Sequence, residues 1–148
     1  MAKGSSQGAR ARAKARRLAL QGLYQWQLSG TPAPDLIAEL SASQIIKDVD
    51  FEYFEAVLRA VIADSEALQA LFLPHLDRPA AQLDPIERGV LLIGTFELKD
   101  RIDVPYRVVL NEAMELSKDF GAEDSHKYIN AVLDKTAAGL RQAERAAR

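Results

Sequence analysis

Residues 84–98 read DPIERGVLLIGTFEL, and no other stretch limits the possible folds of this chain so tightly. Asp84 suits an N-cap and Pro85 the first helical position, where its missing N–H costs nothing. Glu87, three residues past the cap, completes the pattern of a capping box. The helix so begun is apolar on nearly every side, with Ile86, Val90, Leu91, Leu92, Ile93, Phe96 and Leu98. A helix with no polar face has nowhere to sit except among other helices, so the spacing predicts a bundle with this segment at its centre. Glu97 shares the side of Ile86, Val90 and Ile93; buried there, it must be hydrogen-bonded or paired.

The rest of the 148-residue chain supplies the surrounding helices. Helical spacing runs from about Arg10 to Leu28 through Ala19, Leu23 and Trp26, with Leu20, Tyr24 and Leu28 on a second row. Residues 29–34 (SGTPAP) break it. A short helix over 35–46 uses Leu36, Ile37 and Leu40. Asp50 is placed to cap the next, whose stripe is Phe54, Val57, Leu58, Val61 and Ile62. Another starts near Ser65, with Leu68, Leu71 and Phe72 inward and Pro74 and Pro79 bracketing its end. Asp103-Val104-Pro105 opens a helix with a stripe of Tyr106, Val109, Ala113, Leu116 and Phe120, and Gly121 suits its C′ position. Asp124 or Ser125 caps the last helix, which carries Ile129, Val132, Leu133, Thr136, Ala137 and Leu140 inward. The tail beyond Leu140 is expected to fray. No segment alternates with period two, and no repeat of 20–50 residues occurs. The expected fold is all-α: residues 10–148 as one compact bundle of six or seven helices, behind a flexible extension over residues 1–9.

Composition removes several classes of function. The chain has no cysteine, which excludes disulfides, thiolate metal sites and thiol catalysis. No apolar run of 18 residues exists to span a membrane, and no apolar segment directly follows the basic start as a secretory signal would require. The two histidines, His75 and His126, lack metal-site spacing, and no phosphate-binding glycine loop or nucleophile elbow is present. Glu87, Glu97 and Glu112 each have a structural reading, as cap, buried partner and solvent face. No cofactor, metal site or catalytic residue is therefore expected, and the chain reads as a non-enzyme.

The net charge of −2 conceals an uneven distribution. Lys3, Arg10, Arg12, Lys14, Arg16 and Arg17 give the first 17 residues +6, leaving −8 on the remainder. A basic arm on an acidic body points to a polyanion bound at one place, or to an arm that only solubilises. Cations at a helix start oppose the macrodipole, which favours an anionic ligand there. Residues 121–135 (GAEDSHKYINAVLDK) carry the second unusual cluster. The core stripe explains Ile129, Val132 and Leu133 but not Asp124, Ser125, His126, Lys127, Tyr128 and Asn130. Around a helix N-terminus these offer charge, amide and aromatic groups, the mixture that recognises single-stranded RNA. On pattern alone they also read as a cap with solvated neighbours.

Four stretches together resemble the NusB family: ARRLALQGLYQWQLSG (Ala15–Gly30), KDVDFEYF (Lys47–Phe54), LDPIERGVLLIGTFEL (Leu83–Leu98) and DVPYRVVLNEAMELSKDFGAEDSHKYINAVLDK (Asp103–Lys135). The last is the most specific, and order and spacing agree over nearly the whole chain. The resemblance implies an all-helical cytoplasmic bacterial protein that binds the boxA element of nascent RNA as a single strand. It acts with the ribosomal protein NusE in the antitermination complex of RNA polymerase, promoting read-through in ribosomal RNA operons. It further implies an RNA surface combining Arg10, Arg12, Arg16, Arg17 and Tyr24 with Lys118, Asp124, Ser125, Lys127 and Tyr128. Leu71, His75 and Glu87 fall where the family meets NusE. Some members of the family self-associate, so a homodimer is a further expected state. Similar domains precede the catalytic domain of some RNA cytosine methyltransferases; this chain ends at Arg148, and no such domain is expected to follow. The competing readings are a helical protein-interaction domain without specific RNA binding, and a subunit of an RNA-modifying enzyme.

Overall fold

The computed structural model describes residues 2–43 and 46–147, and side chains from residue 7 onward. Among the described residues there are eight α-helices, two short 3-10 helices and no strand, which bears out the all-α expectation. The chain's contacts divide it into two compact units, Met1–Ala63 and Asp64–Arg148, where the sequence reading treated residues 10–148 as one body.

The first unit holds α1 (Ala2–Ser29), α2 (Ala33–Ser43) and α3 (Phe51–Ala63). The helix expected from Arg10 begins eight residues earlier, running through residues 2–9. Arg10 is therefore well inside the helix, and the macrodipole argument against its charge lapses, because that effect decays within one turn. Burial begins at Ala15 and continues through Leu18, Ala19, Leu20 and Leu23. Tyr24 and Leu28, expected on an inward row, are 42% and 62% exposed. Gly30, at φ 73°, ends α1 and donates its N–H to the Trp26 carbonyl. The predicted helix over 35–46 is seen as Ala33–Ser43, and residues 44 and 45 lie outside the described residues. Asp50 caps α3 as expected: its Oδ1 accepts from the Tyr53 N–H at 3.0 Å. The Asp50 N–H in turn donates to the Ala11 carbonyl of α1 at 3.1 Å, tying the two helices at this end. Phe54, Val57, Leu58 and Val61 are buried as predicted, whereas Ile62 is half-buried on the edge of the stripe.

The second unit is built on the apolar helix that follows the Asp84 cap. α4 (Ser65–Phe72) runs into a 3-10 turn at Leu73–His75, and a second turn at Ala80–Gln82 precedes α5 (Pro85–Asp100). The capping box is complete, with the Glu87 N–H donating to Asp84 Oδ1 at 2.7 Å and the Asp84 N–H to Glu87 Oε1 at 3.2 Å. Every residue from Gly89 to Leu98 is buried, Glu97 included. α5 packs against α4, α6 (Tyr106–Phe120) and α7 (Ser125–Leu140), and α6 packs against α7. Phe120, the last residue of α6, is 46% exposed although its spacing placed it inward: periodicity fixes the angle of a side chain, not how far its partners extend along the helix.

Gly121 follows α6, but not in the left-handed conformation its C′ position suggested; its φ is −90° and ψ 175°. Close approach is what requires glycine. A Cβ there would stand 2.8 Å from the Ser117 carbonyl oxygen and 2.5 Å from Ser125 Oγ. The left-handed residue is Asp124, at φ 66°. Gly121→Ala is therefore expected to lower stability by about 1–3 kcal/mol through overpacking at this corner, measured by urea denaturation.

The segment beyond Leu140, expected to fray, instead fastens the unit. It forms α8 (Gln142–Ala146), and Arg141 before it is buried. Arg141 Nε donates to the Leu98 carbonyl at 2.8 Å. Its Nη2 lies 3.1, 3.0 and 2.9 Å from those of Glu97, Arg101 and Val104. These include end-of-helix carbonyls of α5 that have few partners within the helix. Arg141 Nη1 pairs with Glu144 Oε1, while Glu144 Oε2 accepts from the Tyr106 N–H at 2.8 Å, satisfying a donor at the start of α6. A carboxylate there also suits the helix dipole. Arg145 donates to Asp134 Oδ1 at 2.6 Å and lies over the Tyr106 ring.

Candidate nucleic-acid interface

In the first unit the arm's cations separate into two groups. Arg10 is exposed and Arg17 half-buried. Arg10 and Lys14 line an open groove of about 530 Å³ with Gln7, Ala11 and Asp48. Arg12 and Arg16 instead lie over the ring of buried Tyr53, at 4.2 and 5.5 Å from its centroid. Arg16 is only 3% exposed, so its stem packs in the core and its loss would cost packing as well as charge. Tyr53 is the residue sequence reasoning missed here. Its signal was available, since it stands at N3 after the Asp50 cap and its ring attracts cations. Tyr24 is exposed on α1, as a stacking residue must be.

In the second unit the corner between α6 and α7 brings together the predicted residues 124, 125, 127 and 128, with Lys118 in the last turn of α6. Asp124 occupies the N-cap position of α7, but its carboxylate makes no capping bond because its backbone is left-handed. It pairs instead with Lys127 at 3.6 Å, and Lys118 pairs with Glu115 at 3.8 Å. Both pairs are exposed, worth about 0–1 kcal/mol, so either lysine exchanges its carboxylate for a phosphate at little cost. Ser125 is buried, and its Oγ has no hydrogen-bond partner among the described residues. It stands in the first turn of a helix whose leading N–H groups have no side-chain cap.

Tyr128 is half-buried rather than open. The guanidinium of Arg78 lies 4.0 Å from its ring centroid, and Arg78 Nε donates to Asp77 Oδ1 at 2.9 Å. Burial pushes the Tyr128 phenol above its ordinary range, and the hydrogen bond from Arg78 holds the Asp77 carboxyl below the usual carboxylate range. Neither Asp77 nor Arg78 was singled out from sequence; the Asp-Arg-Pro tripeptide reads as an ordinary loop until the fold lays it on α7.

Of the residues expected to meet a protein partner, Leu71 and His75 are half-buried at the end of α4 and in the turn after it. Glu87 is 8% exposed, with its carboxylate committed to the capping box. Nearby, Arg88 Nε donates to Gln69 Oε1 at 2.8 Å, joining α5 to α4. Among the described residues no group of three or more His, Asp or Glu side chains is disposed to hold a metal ion. Among the described residues no helix is long and apolar enough to cross a membrane.

Fold and site thus define a small all-helical protein whose distinctive side chains are cations and aromatics set on helix surfaces and at a helix start. The chain belongs to the NusB family of transcription antitermination proteins, whose sequence pattern matches residues 13–138. The transcription antitermination protein NusB of Paraburkholderia xenovorans is 55% identical over 134 residues, covering 90% of this chain and 93% of the relative. That of Teredinibacter turnerae is 52% identical, with 90% and 91% covered. A crystal structure of the antitermination factors NusB and NusE in complex with dsRNA superposes with a TM-score of 0.79 at 27% identity. It covers 88% of this chain and 98% of the matched one.

Proposed function

We propose that this protein binds single-stranded boxA RNA together with NusE, in the cytoplasm and without catalysing a reaction. As part of the RNA polymerase antitermination complex it promotes read-through and ribosomal RNA transcription. The observation that carries the reading is the likeness, over nearly its whole length, to a NusB chain bound to NusE and RNA. The side chains support it. Arg10, Lys14 and Arg17 supply phosphate-directed charge, Lys118 and Lys127 sit in weak exchangeable pairs, and Tyr24 and Tyr128 supply aromatic surface. Asp124 and Ser125 stand at the start of α7, which has no side-chain cap, and a helix start favours an anion through its backbone N–H donors. For NusE, Leu71 and His75 offer accessible surface. Glu87 acts by holding the start of α5 rather than by direct contact.

Fluorescence anisotropy tests the proposal, with labelled single-stranded boxA RNA, a scrambled strand and a duplex, each with and without NusE at two salt concentrations. The expected result is preference for the boxA strand, strengthened by NusE. Equal binding to all three that vanishes at the higher salt would overturn it and leave a helical interaction domain with a basic arm.

A further inference from the structure

We propose that Arg78 is a base-stacking residue of the RNA site, its guanidinium forming a second layer on Tyr128 that presents a flat, charged face to an unpaired base. This rests on the RNA-binding reading above and extends it to a residue outside the predicted set.

Three observations carry it. The Arg78 guanidinium carbon stands 4.0 Å from the Tyr128 ring centroid, the separation of a stacked cation and ring. Its Nε donates to Asp77 Oδ1 at 2.9 Å, which restrains the plane and leaves the terminal nitrogens as further donors. The Arg78 side chain is still 36% exposed, so the layer is reachable from solvent. Beneath it the Tyr128 hydroxyl is buried without a hydrogen-bond partner among the described residues, so the ring offers its face rather than its edge group to a ligand. A base meeting Tyr128 on this side meets Arg78 first. Arginine planes stack on bases as aromatic rings do, and they add charge that a tyrosine lacks. Lys127, next in the chain to Tyr128, is 75% exposed and stands by for the neighbouring phosphate.

Lysine at position 78 keeps the charge and removes the plane, so Arg78→Lys separates stacking from electrostatics. Binding of labelled single-stranded boxA RNA is measured by anisotropy at two salt concentrations for the wild type, Arg78→Lys and Lys127→Ala, with a thermal melt of each. Arg78→Lys is expected to bind about tenfold more weakly at both salt concentrations, with an unchanged salt slope. Lys127→Ala is expected to lower the slope by about 0.7. Wild-type affinity in Arg78→Lys would overturn the proposal and reduce Arg78 to a loop fastener. If the melt shows Arg78→Lys unfolded at the assay temperature, ultraviolet crosslinking of the wild type to 4-thiouridine RNA decides. An adduct on residues 76–79 supports the stack, and its absence there overturns it. A wild type that binds no RNA overturns the underlying reading instead, an outcome distinct from unaltered binding by the variant.

Discussion

Replacing Arg141 by alanine is expected to lower the unfolding free energy by about 3–5 kcal/mol, because several carbonyls lose a buried donor and each polar group left unpaired costs about 1–3 kcal/mol. The guanidinium reaches the carbonyls of Glu97, Leu98, Arg101 and Val104, and nothing in alanine replaces those donors. Glu144 loses its partner at the same time, which loosens the carboxylate that caps α6 through the Tyr106 N–H. Circular dichroism melts would register a fall of roughly 10 °C, since 1 kcal/mol shifts Tm by about 2–4 °C at this chain length. Arg141→Lys should lose less, because one ammonium reaches some of the carbonyls but lacks the fork. A loss under about 1 kcal/mol in the alanine variant would mean that water or neighbouring donors satisfy these groups without the side chain.

Neutralising Arg10, Lys14 and Arg17 together should produce the largest effect on RNA binding. Three phosphate contacts on a single strand account for a slope of about 2 in log K against log salt. That corresponds to roughly 50-fold in affinity at 0.15 M salt. Plots for the wild type and the Arg10→Gln/Lys14→Gln/Arg17→Gln variant should therefore diverge at low salt and converge near 1 M. Parallel plots would show that the arm makes no phosphate contact. Arg16 is left out on purpose: it is buried against Tyr53, and its replacement would confuse lost packing with lost charge.

The central helix was the most legible part of the fold. Its cap, its proline and its all-round apolar surface are local, and each needs only neighbours in sequence to be understood. The Asp50 cap and the stripe of α3 were legible for the same reason. What escaped depended on contacts between distant residues. Arg141 looked like part of a fraying tail because its acceptors lie 37–44 residues away. Arg78 looked like a loop residue because Tyr128 is on another element. Arg12 and Arg16 looked equivalent to Arg10 and Arg17 because position along an arm does not reveal that Tyr53 lies beneath two of them. The corner at Gly121 was misjudged in conformation but not in residue type: both a left-handed turn and a tight backbone approach select glycine, and only coordinates tell them apart.

The Arg141 clasp also sets an order of events during synthesis. α5 is made early, yet four carbonyls at and beyond its C-terminal end wait for a side chain about 40 residues downstream. Until residues 141–144 have left the ribosome, the Leu98 and Val104 carbonyls and the Tyr106 N–H lack their side-chain partners, and the Glu97 and Arg101 carbonyls keep only the N–H groups of Arg101 and Val104. A nascent chain halted at residue 140 would hold most of the apolar core of its second unit and none of its closing polar contacts. Native stability in that unit is thus acquired in a late step, when residues 141–144 close over the C-terminal end of α5.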